Sequence, residues 1–213
     1  MNNYTLKTHS ENKNIFSGTY RSFIDCIEDA VKQNINMSHI NLSHKNLSNA
    51  NLDGAHMPFA NFKGANLIGA NLSECHLKNA NFNDTSLYNT CFAYSELQNS
   101  QFLGASFGAT LIEGCNAQNC TFSTLSCFDL DFHLTRAMDG CTYIDQNYKH
   151  HNMSEPPIIL KGLLNTPIIV LDKTAKIGGQ FFSTEDALPS VHALIQKVLP
   201  YSIKRQYFEK ITG

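Results

Sequence analysis

Residues 60–74 read ANFKGANLIGANLSE, and ANLDG stands just before them at 50–54. Each five-residue unit opens on a small residue, follows with an amide and places a large apolar side chain third. That large residue returns at Met37, Leu42, Leu47, Leu52, Met57, Phe62, Leu67, Leu72, Leu77, Phe82, Leu87, Phe92, Leu97, Phe102, Phe107 and Ile112. The beat continues more weakly through Ala117, Phe122, Cys127 and Phe132. A period of five fits neither a strand, whose faces alternate, nor a helix, whose stripe recurs at 3.6. The chain must therefore turn once per unit, bringing one large and one small side chain inside each time.

A longer period lies over the first. Phe62, Phe82, Phe102 and Phe122 are spaced twenty apart. If four units close one coil, these four rings form a core ladder. The same register places Ile68, Tyr88, Gly108 and Phe128 in one outer column, with Tyr94 and Leu134 on the next face and Phe59 elsewhere on the outside.

The units at 50–54, 60–64, 65–69 and 70–74 resemble the A(D/N)Lxx consensus of the pentapeptide-repeat family. The resemblance covers roughly half of the chain. It implies a mainly β fold: a right-handed quadrilateral β-helix of about five coils, stacked ~4.8 Å apart. After Asn83 the small site carries Thr or Ser more often than Ala. Leu125 and Leu130 fill small sites in the last coil, which is expected to be irregular. One coil buries too little to stand alone, so stability should come from stacking against neighbouring coils. Asn41, Asn61 and Asn81 share an outer column, as do Asn79, Asn99 and Asn119, where stacked amides can form ladders.

Four segments are expected. Residues 1–34 form a leader and an N-terminal capping helix, 35–135 the β-helix, 136–156 a transition, and 157–213 a small α+β unit of strands and helices. Phe23, Ile27, Ala30 and Val31 give the capping helix one apolar face, with Ser17 or Thr19 as its cap. The helix should cover the open end of the first coil. In the last segment, strands are expected over 157–161, 167–171 and 176–182, with a hairpin turn at 172–175 and helices from Ser183 to about Ile211. Gly178–Gly179 reads as a bulge inside a strand. The segment resembles the tail of some bacterial and phage members of the family.

The 213 residues carry a net charge of −2, which gives no basic footprint for nucleic acid. No apolar run reaches the ~20 residues of a membrane span, and the N-terminal residues lack the apolar core of a secretory signal. Seven cysteines, several at inward sites, fit a reducing compartment. A cytoplasmic protein is expected, with delivery into a host cell as an effector left open.

No constellation for catalysis stands out. His56 and His76 stack twenty apart, but only Glu96 and Asn116 follow them in the column, short of a four-ligand set. His133, Cys141, His150, His151 and Cys127 match no zinc spacing. Cys91 points outward without a cation close by in its coil to activate it. No catalytic, cofactor or metal site is expected. The candidate interface is the outer apolar set Ile68, Tyr88, Phe128, Tyr94 and Phe59, since exposed apolar stripes mark contact surfaces. The chain's own C-terminal unit, a second copy or another protein could cover it. The expected function is a non-catalytic protein-interaction scaffold. The alternative, which the family resemblance supplies, is imitation of DNA to modulate a type II topoisomerase such as gyrase. Residues 36–150 carry nine acids against five bases, a mild excess for that role.

Overall fold

Asn41 pairs with Asn61, Asn46 with Asn66, Asn51 with Asn71 and His56 with His76, all in parallel. These bridges, each twenty residues apart, repeat along the chain and define the coil. The structure, a computed structural model, describes residues 1–161 and 164–185. The helices expected after Ser183 lie outside the described residues, and Ser183 itself closes a strand.

Three local devices turn the chain every five residues. The large side chain goes inside, with Phe62, Phe82 and Phe92 almost wholly buried. The amide before it makes a turn of its own: Asn61 Oδ1 accepts from Lys63 N–H at 3.1 Å, and Asn81 Oδ1 from Asn83 N–H at 2.9 Å. Finally, every fifth residue from His39 to Asn119 takes a positive φ. That left-handed corner favours Gly and Asn, which explains Gly54, Gly64, Gly69, Asn79, Asn89 and Asn99.

The ladder rings stack with centroids 4.8 Å apart for Phe62–Phe82, 5.0 Å for Phe82–Phe102 and 5.3 Å for Phe102–Phe122. Phe92 meets Phe82 edge-on at 5.4 Å. The hydroxyls and thiols that replace alanine at the small site have a bonding role. Thr90 Oγ1 donates to Leu67 C=O at 2.8 Å, Ser100 Oγ to Leu77 C=O at 2.9 Å and Cys120 Sγ to Leu97 C=O at 3.1 Å. Each uses a spare carbonyl lone pair of the preceding coil.

The first coil's edge is covered by two elements. Residues 1–16, expected as a polar leader or a short lead-in strand, in fact hold strand β1 (Asn2–Lys7) and the start of β2 (Asn14–Tyr20), which form an antiparallel hairpin. At the end of β1, Lys7 C=O accepts from Asn41 N–H, and just beyond it His9 N–H donates to His39 C=O. Helix α1 (Phe23–Lys32) buries Cys26, Ile27 and Ala30, and its Glu28 carboxylate accepts from Asn51 N–H at 2.8 Å. Its cap is Ser22, in place of Ser17 or Thr19, which lie in β2. Only Ser22 has an acid three residues on, and Asp25 closes a capping box with it.

At the other end the coil breaks, as the leucines at small sites foretell. Residues Leu125–Asp129 and Phe132–Leu134 form 3-10 turns. Parallel pairing then resumes one residue late, with Asn116 opposite Ala137 and Thr121 opposite Thr142. Strands β3 (Gln101–Phe102), β4 (Thr121–Phe122) and β5 (Thr142–Ile144) thus run parallel, and β6 (His150–Asn152) returns antiparallel to β5.

A second sheet follows, ordered β10-β9-β8-β7, from β7 (Ile158–Leu160), β8 (Ile168–Val170), β9 (Thr174–Ile177) and β10 (Gln180–Ser183). The strand expected over 176–182 is in fact a hairpin. Gly178–Gly179 is its two-residue turn rather than a bulge, with Gly178 at φ +61. His151 ties this sheet to the coil: Nε2 donates to Asp145 Oδ2 at 3.1 Å, and Nδ1 meets Thr174 Oγ1 at 3.2 Å. Its ring stacks on Phe181 at 3.9 Å.

Candidate interaction surface

Of the five outer apolar residues singled out from the register, four are exposed. Ile68 is 39% exposed, Phe59 44%, Tyr88 45% and Tyr94 58%. Phe128 is not. It is 5% exposed, with its ring 5.0 Å from that of Tyr143. The cause is Leu125, which is too large for an inward small site. The chain leaves the coil as a 3-10 turn, so Leu125 faces out and Phe128 faces in.

Tyr88 and Tyr94 sit on consecutive turns of one coil, and each leans over a glycine of the next. A β-carbon built on Gly108 would stand 2.5 Å from the Tyr88 ring, and one on Gly114 would stand 2.5 Å from the Tyr94 ring. Gly114 N–H in turn donates to Leu134 C=O, which brings the exposed Leu134 into the same column. Leu111, 58% exposed, lies between the two tyrosine columns, as the coil successor of Cys91. It occupies the site that an amide usually fills, which hides it in the sequence. The signal was available in the column Asn51, Asn71, Cys91, Leu111, which turns from polar to apolar. Ile68, Tyr88, Tyr94, Leu111 and Leu134 together form an exposed apolar patch.

Backbone conformation sets two of these residues apart. Tyr94 and Phe59 occupy the left-handed corner at φ +60, where a bulky side chain costs ~1–2 kcal/mol. Phe59 is partly engaged: His39 of the first repeats stacks on its ring at 4.7 Å, and a ring nitrogen of His9, in the loop of the N-terminal hairpin, donates to its carbonyl at 3.0 Å. The Tyr94 hydroxyl makes only a long hydrogen bond, donating to Glu113 Oε1 at 3.5 Å.

The rings of His56 and His76 stand 5.3 Å apart, with His56 Nδ1 3.1 Å from Asn36 Oδ1. Glu96 below them turns to Arg136, Gln98 and Lys78. Burial alone would raise the Glu96 carboxyl, but hydrogen bonds from Arg136 and Gln98 and the cations beside it hold it below the usual range. His133 is exposed, while Cys127, Cys141 and His151 are buried. Among the described residues no group of three or more His, Cys, Asp and Glu is placed to hold a metal. Nor is any helix among them long and apolar enough to cross a membrane. Burial pushes the Cys75 and Cys115 thiols up to about 12 and moves Cys120 and Cys127 well above their ordinary value.

Residues 33–67 and 60–93 match the family model for pentapeptide repeats, in 8 copies. That stretch consists of pentapeptide repeats. Solved structures match part of the chain. One comes from the Arabidopsis thaliana thylakoid lumen, with 26% identity over 39% of this chain and 65% of that one, and a TM-score of 0.23. Another comes from Nostoc PCC 7120, with 21% identity over 48% and 75% and a TM-score of 0.32. QnrB1, a plasmid-mediated fluoroquinolone resistance protein, matches at 15% identity over 48% and 64%, with a TM-score of 0.29. This chain thus spans just under two thirds of the Arabidopsis and QnrB1 chains. No curated protein sequence matches it.

Proposed function

We propose that the protein is a non-catalytic interaction scaffold of the cytoplasm. In this reading residues 35–135 are a right-handed quadrilateral β-helix of about five coils, capped by 1–34 and followed by the 136–156 transition and the 157–213 unit. The patch around Tyr88 and Tyr94 binds a protein partner or a second copy of the chain. The observation that carries the reading is Tyr94, a large ring held at a left-handed corner that Asn or Gly would fill more stably, yet 58% exposed. Backbone strain kept at an exposed aromatic points to use of that side chain, and aromatic anchors dominate interface energetics. Imitation of DNA is disfavoured by charge. Asp84 lies 4.0 Å from Lys63, Glu96 pairs with Arg136, and Asp129 lies 4.0 Å from Lys161, which breaks up a continuous negative field.

Tyr88→Lys and Tyr94→Lys test the reading by sedimentation velocity and by pull-down from the native host. The expected result is unchanged thermal stability with loss of self-association or of a captured protein. A drop in melting temperature with no change in association would overturn it, because the rings would then be packing for the chain itself.

A further inference from the structure

We infer that the cleft between the β5–β6 and β9–β10 hairpins is a binding site for a small molecule that carries one anionic group on a flat apolar body. The cleft measures about 1140 Å³, the scale of a small-ligand site. Leu125, Tyr143 and Phe181 are among its apolar lining, with Leu103, Ile144 and Tyr148. Leu125 is 51% exposed because the coil ejects it, so this apolar floor is a direct product of the broken repeat. The Tyr143 and Phe181 rings stand 5.8 Å apart at 37°, a tilted aromatic wall. Both are fixed from behind by the buried His151, whose ring stacks on Phe181.

The charged lining is Lys149, Lys176 and Asp145. Asp145 is already committed. Its carboxylate accepts from His151 Nε2 and from the backbone N–H groups of Asn147 and Lys149. The two ammonium groups are not. Lys149 belongs to the exposed hairpin tip, and among the described residues no carboxylate pairs with it. Lys176 donates to Gly178 C=O and keeps two further N–H groups. An anionic group would meet both cations while the flat body lies on Leu125 and the rings. This site is separate from the Tyr88–Tyr94 patch, and its failure would leave the scaffold reading untouched.

The probe is 8-anilinonaphthalene-1-sulfonate, titrated by fluorescence into the full chain, with neutral N-phenyl-1-naphthylamine as its uncharged counterpart. Saturable one-to-one binding of the sulfonate is expected, about tenfold tighter than that of the neutral probe. Lys149→Gln with Lys176→Gln should weaken it about tenfold, and Lys149→Arg should retain it. Tyr94→Ala should leave it unchanged. Circular dichroism and melting temperature establish that the variants stay folded. Equal binding of the two probes overturns the proposal, as does sulfonate binding that ignores both lysines. Loss of binding on Tyr94→Ala also overturns it.

Discussion

The ring of Tyr94 lies across Gly114, one coil further along, so closely that a β-carbon at 114 would stand 2.5 Å from it. The pair therefore behaves as one unit. Gly114 also sits at φ +64, so Gly114→Ala meets both a backbone and a contact penalty. Gly54, at φ +71 with nothing within 4 Å of the added carbon, isolates the backbone part. Gly54→Ala is expected to cost ~1 kcal/mol and Gly114→Ala about 1 kcal/mol more. Adding Tyr94→Ala should recover that second part. Urea unfolding of the four variants checks the cycle, and simple additivity would reject the coupling.

Tyr94→Asn should stabilise the protein by ~1 kcal/mol, because asparagine tolerates the left-handed corner that tyrosine does not. The same substitution should weaken association through the patch. Phe59→Asn should gain less, since it forfeits the stacking with His39. Thermal melts of the two variants, run side by side, would show the order. A destabilised Tyr94→Asn would mean that the ring is a packing element and not a presented one.

Two serines in successive repeats look interchangeable and are not. Ala80 N–H donates both to Leu77 C=O at 3.1 Å and to Ser100 Oγ at 3.2 Å. Cys75 N–H instead donates to Ser95 Oγ at 3.1 Å, and Ser95 Oγ donates onward to Leu72 C=O. Ser95→Ala thus strips a buried amide of its acceptor, which costs ~1–3 kcal/mol, while Ser100→Ala should cost ~1 kcal/mol or less. Chemical denaturation of the pair gives the difference directly, and equal losses would contradict this hydrogen-bond assignment.

The interior was legible because a period of five with a superperiod of twenty leaves little freedom in the register. Phe62, Phe82, Phe102 and Phe122 stand in one column for that reason. Breaks in the pattern were legible as breaks, yet their outcome was not. Leu125 signals that the coil must yield, but whether Leu125 or Phe128 then turns inward depends on the packing around Tyr143. The N-terminal hairpin was obscured because its chain is anchored to the coil edge by residues 7–9, a tertiary contact that the polar run 1–16 does not announce. In the patch, Tyr88 and Tyr94 followed from register, whereas Leu111 was hidden at a site that amides normally fill.

Native-state thiol labelling should find one accessible cysteine among the seven. Cys91 is half-buried beside Ser73 Oγ, and the other six are buried. Burial raises the thiols of Cys26, Cys75, Cys115, Cys120, Cys127 and Cys141, which keeps them protonated as well as shielded. Reaction with Ellman's reagent should release about one equivalent quickly and the rest only on unfolding. Cys91→Ser should abolish the fast phase. A fast phase that survives this substitution would place an accessible thiol elsewhere.

Acid should destabilise the protein through two carboxylates, Glu96 and Asp145. The hydrogen bond from His151 holds Asp145 below the usual carboxylate range, and the Arg136 and Gln98 bonds outweigh burial to do the same for Glu96. A depressed folded-state value means that both groups stabilise the native state above the ordinary carboxylate range. That stability is lost as pH falls through the range near 4 and below. Stability should therefore fall below about pH 4.5. Glu96→Gln should cost ~0.5–1 kcal/mol at pH 7 and nothing at pH 2, flattening the acid limb. High salt should mimic Glu96→Gln, because Arg136 is 54% exposed, but should act less on Asp145, which is 7% exposed. Unfolding free energies from pH 2 to 7 test this. An acid limb that is equally steep in Glu96→Gln would remove Glu96 from the account and leave Asp145 alone to carry it.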